Sequence, residues 1–398
     1  MKCLYALLAL VFSSIFAVPA AAKQQPGQQA IVLTSGQAGL KGMVAHWWYL
    51  QQYGATLLDD YVRLGVTNVR LTVDWYDIEE TEGQRNFEHL DPIMDAFADR
   101  GIEVVPVVAT VPAWASLNPD ECASNTRLCS MNVSKLGAFH STMGDLVAHY
   151  PEARRWEFWN EPEMWAGLRR PSDYEPWYRA FRDAAKAANP QAVVAVGTLT
   201  GWKFVSGLSG DLPIDAVTVH PYAGDNWGLD TDMIQRLHDG LVSRGLNVPI
   251  WITEYGWGQW MDPVRRASTI NQVFRWMQTQ PYIEIADYHM LHDSVEADEC
   301  CWGLVGPPPG FAPHEPAFDA FQSVVVEDWT ATPRAHPARF LDSSPIVPTP
   351  LEEPIIQTED QSQYAIQKLD DTPAAAPEDT AVPVGDEPPP DESTTSAR

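Results

Sequence analysis

The chain has 398 residues, 45% of them hydrophobic and 11% aromatic, with 16 tryptophans, which excludes a polypeptide disordered throughout and suits one large apolar core. A formal net charge of −27 argues against nucleic acid and anionic lipid as partners, because both would be repelled. Residues 341 to 398 hold 13 of the acidic side chains against Lys368 and Arg398, yet the remainder is acidic too, which favours a neutral substrate over a polyanion.

The N-terminus reads as a secretory signal over residues 1 to 22: Lys2, an apolar run from Leu4 to Val18, and small residues up to Ala22. That run is too short to span a bilayer, so the expectation is a secreted protein, extracellular or periplasmic, with no membrane span. Residues 23 to 340 form the expected catalytic domain. Within it, short β-branched runs alternate with amphipathic stretches, the pattern of repeated βα units. Eight strands are predicted: Gly42 to Trp48, Val66 to Trp75, Ile102 to Thr110, Arg155 to Glu161, Ala192 to Leu199, Ile214 to Tyr222, Val248 to Trp257 and Ile283 to Leu291. Phe87 to Asp99 reads as a helix with Leu90, Ile93, Met94 and Phe97 on one face. Ser172 and Glu175 offer a capping box to the fourth helix, Asp262-Pro263 an N-cap with proline at N1 to the seventh, and the fifth helix is abbreviated. The fold class is therefore α/β, a (β/α)8 TIM barrel, with residues 341 to 398 a disordered acidic, proline-rich tail. A doubly wound sheet is disfavoured, since no glycine-rich phosphate fingerprint follows the first strand.

Four cysteines follow the signal, Cys122, Cys129, Cys300 and Cys301, for which three pairings are possible. Joining Cys122 to Cys129 leaves a vicinal disulfide or two free thiols. Neither pair has zinc-ligand spacing, so no metal and no cofactor is expected.

In a barrel the working groups sit at the C-terminal ends of strands. Glu161 ends the fourth strand in Trp159-Asn160-Glu161-Pro162, and Glu254 ends the seventh in Thr253-Glu254-Tyr255-Gly256. Strands four and seven face each other across the mouth, so both carboxyls can reach one bond, the geometry that glycoside hydrolysis requires. On these residues the sequence resembles clan A glycoside hydrolases. Arg70 in Gly65-Val-Thr-Asn-Val-Arg70-Leu is similar to the strand-two arginine that supports the nucleophile, and His220-Pro221-Tyr222 to the strand-six His/Tyr pair. Trp75-Tyr-Asp-Ile-Glu79-Glu-Thr-Glu-Gly83, Pro106 and Val111-Pro112-Ala-Trp114 look like bacterial family 39 members of the exopolysaccharide-hydrolase type, with family 5 next.

The resemblance implies a retaining β-glycosidase acting by double displacement, with Glu254 the nucleophile and Glu161 the acid/base, which must begin protonated. It implies that Arg70 and Tyr222 support Glu254, that Asn160 grips the 2-hydroxyl, and that Trp159 and Trp165 exclude water. For Asn160 and Glu161 both to face the site, strand alternation must break there. The competing structural readings are buried carboxylates for the two glutamates, a barrel-interior charge for Arg70, and satisfied core polar groups for His220 and Tyr222. His46 reads as a core histidine.

Eleven tryptophans, at 47, 48, 75, 114, 159, 165, 202, 227, 257, 260 and 302, fall at or beyond strand ends, which suggests stacking platforms for sugar rings and endo cleavage of a polymer. Trp114, Trp165, Trp257 and Trp302 are the predicted substrate-binding members. The resemblance places a tryptophan at the end of strand eight; this sequence departs from it, and Trp302 from the following loop is the candidate replacement. His289, His292, Asp293, Glu296, Asp298 and Glu299 read as a solvated loop, not a metal site. The expected partner is an oligo- or polysaccharide bound by a monomer; the alternative is a non-catalytic carbohydrate-binding or adhesion protein.

Overall fold

The computed structural model describes residues 30–223, 229–294, 301–308 and 310–327. The signal, the acidic tail, Trp227, Cys300, Glu296, Asp298 and Glu299 lie outside the described residues. All eight expected strands form and close into a parallel barrel. They are β1 (Gly42–Ala45), β2 (Asn68–Asp74), β3 (Glu103–Ala109), β4 (Arg155–Phe158), β5 (Val193–Val196), β6 (Ala216–Val219), β7 (Ile250–Tyr255) and β8 (Ile283–Tyr288). Each pairs with the next, and β8 returns to β1 through Asp287 opposite Gly42. The strands are shorter than predicted because the chain leaves the ladder early for a loop or helix; Trp47–Leu64 is already helical two residues after β1.

Residues paired across the ladder face the same side of the sheet. Arg70 lies opposite Val105, Glu157 opposite Ala195, Thr218 opposite Trp251. Along the same face, Val105, Ala195, Ala216, Trp251 and Ile285 form a small apolar cluster apart from the main core. The much larger cluster lies between sheet and helices, where Trp75, Phe97, Phe139, Trp156, Trp177, Phe181 and Phe274 are buried.

The seventh-unit helix, Pro263–Met277, begins as predicted: Asp262 accepts from the Arg265 amide, and Pro263 stands at N1, where its missing N–H costs nothing. The fifth-unit helix is one turn, Trp202–Val205. The expected capping box at Ser172 and Glu175 does not form. Helix Pro171–Ala188 starts at a proline, and Glu175 instead accepts from the Ser209 amide and hydroxyl and from Arg179. Outside the barrel, Val32–Leu33 pairs with Val325–Val326 in a short parallel ladder that periodicity could not reveal. Cys122 and Cys129 are disulfide-bonded within the loop after β3. Among the described residues no helix is long and apolar enough to cross a membrane.

Candidate active site

Above the apolar layer, the barrel interior changes character. Arg70, from the middle of β2, reaches three partners: Nε donates to Glu157 at 2.6 Å, Nη1 to Glu254 at 2.8 Å, and Nη2 to Asn160 at 2.9 Å. The arginine is therefore paired inside the barrel with the very group it was expected to serve. The last bond fixes the Asn160 amide, since only its oxygen can accept from a guanidinium.

The break in alternation needed at the end of β4 is present. Trp159 and Glu161 both take left-handed backbone angles, φ 71° and φ 46°, a region that non-glycine residues occupy at a cost of about 1–3 kcal/mol each. This double turn lets Asn160 meet Arg70 while Glu161 meets His220. Space for it comes from β5: a methyl group on Gly197 would overlap the carbonyls of Phe158 and Trp159. The same device acts between β7 and β8, where Gly256 lies against the His289 carbonyl.

His220 and Glu161 share a hydrogen bond of 2.8 Å through Nδ1, and the same nitrogen lies 3.6 Å from Glu254. Its other nitrogen lies 3.1 Å from Thr253 Oγ1, whose single proton goes to Glu157 at 3.0 Å. Nε2 must then donate to Thr253, so the Nδ1 contact is one in which His220 and Glu161 hold a proton between them. Tyr222 donates to Glu254 at 3.1 Å. One connected set thus links Glu157, Thr253, His220, Glu161, Glu254, Tyr222, Asn160 and Arg70.

Electrostatics follow from this packing. Burial alone would raise the Glu254 pKa, but His220, Arg70, His289 and the Tyr222 hydrogen bond outweigh it and hold the carboxyl at about 2. Burial opposes charge on His220, and the carboxylates of Glu254 and Glu161 more than compensate, keeping its pKa above the ordinary histidine value. Tyr222 is pushed well above the usual phenol range by burial and by both glutamates, so it remains a donor.

Glu161, His220 and Glu254 each offer a ligand atom, all within 4.8 Å of one another, and they are the one such group found among the described residues. A cation there would compete with charge already supplied, because Arg70 contacts Glu254 directly. The donor set suits proton transfer and nucleophilic attack better than metal binding.

The tryptophans divide. Trp302 meets the ring of Tyr222 at 5.6 Å and that of Trp260 at 4.8 Å, so it stands beside the carboxylates from the loop after β8. Trp48 and Trp260 are exposed. Trp165 is buried edge-on against Trp159 at 5.3 Å, and Trp257 packs on the core tyrosines Tyr255 and Tyr288. Trp114 donates to the Glu79 carbonyl and carries Lys135 over its ring. The expectation of platforms fails for Trp75 and Trp202. Trp75 opens a helical turn that tucks its ring against Phe139 and Trp177 in the outer core, and Trp202 fills the space beside Gly240 under Arg244.

Four residues at this site escaped the sequence reading. Glu157 and Thr253 sit within strands where an apolar interior is the default; their only signal is polarity at an inward-facing position. His289, read as part of a solvated loop, instead stands directly after β8 with Nδ1 buried, and His46, read as a core histidine, has neither ring nitrogen hydrogen-bonded.

The sequence model of the cellulase family, glycosyl hydrolase family 5, matches residues 26–287. Among solved structures, the chain is similar to a family 39 glycoside hydrolase from the gut symbiont Bacteroides cellulosilyticus, at 18% identity and TM-score 0.57 over 72% of this chain and 63% of that one. It is also similar to a family 39 β-xylosidase from Caulobacter crescentus, at 17% identity and TM-score 0.56 over 74% of each chain. A family 5 subfamily 18 structure from Streptomyces cattleya gives 16% identity and TM-score 0.57 over 74% of this chain and 80% of that one. The chain spans less than two thirds of the first of these, and at such identities the likeness is one of fold. No curated protein matches the sequence.

Proposed function

The chain belongs to the cellulase family, glycosyl hydrolase family 5, a family of O-glycosyl hydrolases, and we propose that it is a secreted, retaining β-glycosidase of a neutral polysaccharide. Glu254 attacks the anomeric carbon as Glu161 gives its proton to the departing oxygen; the glycosidic C–O bond breaks and a glycosyl ester forms on Glu254. Water then attacks that carbon while Glu161 takes back a proton, and the ester bond breaks to release the sugar with its β configuration retained.

The observation that carries this reading is the separation of the two carboxyls, whose nearest ligand atoms lie within 4.8 Å. Retaining enzymes hold them about 5–5.5 Å apart, whereas inverting enzymes leave about 6.5–9.5 Å for a water. The unequal treatment of the pair supports the roles. Glu254 is held ionised by Arg70 and Tyr222, as a nucleophile must be, and Glu161 shares its proton contact with His220. Exposed Trp48, in the first turn of the helix after β1, and Trp260, in the loop after β7, favour a polymer cut internally, and the signal-like N-terminus favours export.

Reducing-end release from β-glucans, xylan, mannans, galactans and bacterial exopolysaccharides tests the reading, with NMR of the first-formed anomer. One polymer is expected to be cut to the β-anomer, with Glu254→Gln inactive and Glu161→Gln lowered by about 10²–10⁴-fold. An α-anomer as first product, or full activity in Glu254→Gln, would overturn the mechanism.

A further inference from the structure

Beside the paired carboxylates, the loops after β1 and β8 present polar groups that nothing in the protein satisfies. His46 follows β1 directly and caps helix Trp47–Leu64, with its ring stacked on Trp48 at 4.6 Å. Both its nitrogens are shielded from solvent and without a hydrogen-bond partner, as is Nδ1 of His289. A buried polar atom left unpaired costs about 1–3 kcal/mol, so such a cluster beside a catalytic pair is expected to meet its partners in a ligand. We propose that His46 and His289 hold hydroxyl groups of an uncharged sugar ring lying against Glu254.

The charges around these rings specify the kind of sugar. Burial, His289, His292 and Arg70 all disfavour a proton on His46, only Glu254 favours one, and the balance lowers its pKa to about 3. His289 is lowered as well: burial, Arg70 and His220 outweigh Glu254 and Glu161. Both rings are therefore neutral at physiological pH, each offering one N–H and one lone pair, the complement of a hydroxyl. The nearby cation Arg70 is already bonded to Glu157 and Glu254, and His220 to Glu161. A uronate would meet the Glu254 carboxylate with its cation engaged, whereas a neutral ring meets only donors and acceptors.

This inference rests on Glu161 and Glu254 being the catalytic pair, and binding separates the two. In the full chain carrying Glu161→Gln, calorimetry with cellotriose, xylotriose, mannotriose and trigalacturonate is expected to find a neutral trisaccharide that binds and no affinity for the uronate. His46→Phe keeps a ring against Trp48 and removes both nitrogens; it should weaken that binding about tenfold, the value of one hydrogen bond. His289→Phe should do likewise, and His46→Gln, which restores a donor and an acceptor, should recover part of the loss. Binding within twofold of the parent in either folded phenylalanine variant, tightest binding to trigalacturonate, or no binding to any neutral trisaccharide would overturn the proposal. If His46→Phe does not fold, His289→Phe decides. Turnover by Glu254→Gln at the parent rate would instead overturn the catalytic assignment and leave the binding result standing.

Discussion

The mouth of the barrel has two halves that handle polarity in opposite ways. Arg70 and seven other side chains, on β2, β4, β6 and β7 or the turns that follow them, satisfy one another. Beside them, just after β1 and β8, which lie between β7 and β2, His46, Trp47 and His289 bury polar atoms with no partner. A paired network in a low-dielectric interior is rigid and keeps charges where chemistry needs them, whereas an unpaired wall is a standing deficit that a ligand removes. The first half is expected to fail by losing structure or reactivity, the second by losing affinity alone.

The largest effect should come from Arg70→Met. It strands Glu157, which is fully buried, and Glu254, which is nearly so. Removing one partner of a buried ion pair costs about 3–5 kcal/mol. Urea unfolding should show a loss of that order, with part recovered when Glu157→Gln is added, because the second change removes one stranded charge. A loss below about 1 kcal/mol would mean that the paired half is not the rigid element described.

Next comes Tyr222→Phe, which removes a hydrogen bond to an ionised carboxylate worth about 1.5–3 kcal/mol, so kcat/KM should fall tenfold or more. Its pH profile sharpens the contrast. Glu254 must be ionised to attack, and with its pKa near 2 activity is lost only as pH falls toward that value. The stabilisation that accompanies the lowered pKa has the same sense: present above the ordinary 4.5, lost as pH falls through about 2. Deleting the tyrosine donor disfavours the ionised form, so the acid limb should move upward. An unmoved limb would leave Glu254 held by His220 and Arg70 alone. Gly197→Ala belongs just below: the methyl must displace the Trp159 carbonyl, at an overpacking cost of about 1–3 kcal/mol, and kcat should fall because Asn160 and Glu161 shift together.

Much of the paired half was legible in the sequence, and little of the unpaired half. The eight strands were readable because parallel barrel strands are buried on both faces and appear as apolar runs, as in Val104-Val105-Pro106-Val107-Val108. Glu161 and Glu254 were readable because each stands at a strand end with a polarity the run does not explain, and Arg70, His220 and Tyr222 because their segments resemble those of clan A barrels. The left-handed turns at Trp159 and Glu161 were only inferable as a need, since nothing local demands them; the room is made by Gly197, on a different strand. The tryptophans misled for a related reason: a residue at or beyond a strand end can turn into the mouth or behind it. Trp302 did the first and Trp75 the second, according to whether a loop or a helical turn followed. His46 was indistinguishable from a core histidine until its neighbours showed that it lacked partners.

The smallest predicted effect reverses the usual sign. His46→Phe replaces two unpaired ring nitrogens by carbon while keeping an aromatic ring on Trp48, so the unliganded protein should gain stability, by about 1 kcal/mol, and melt at a higher temperature. Sugar affinity should fall in the same variant. Arg70→Met, by contrast, should lower both stability and activity, because its partners lie inside the protein. A melting temperature lowered by His46→Phe would mean that the histidine already has what it needs within the fold, and the two halves of the mouth would then differ in composition but not in role.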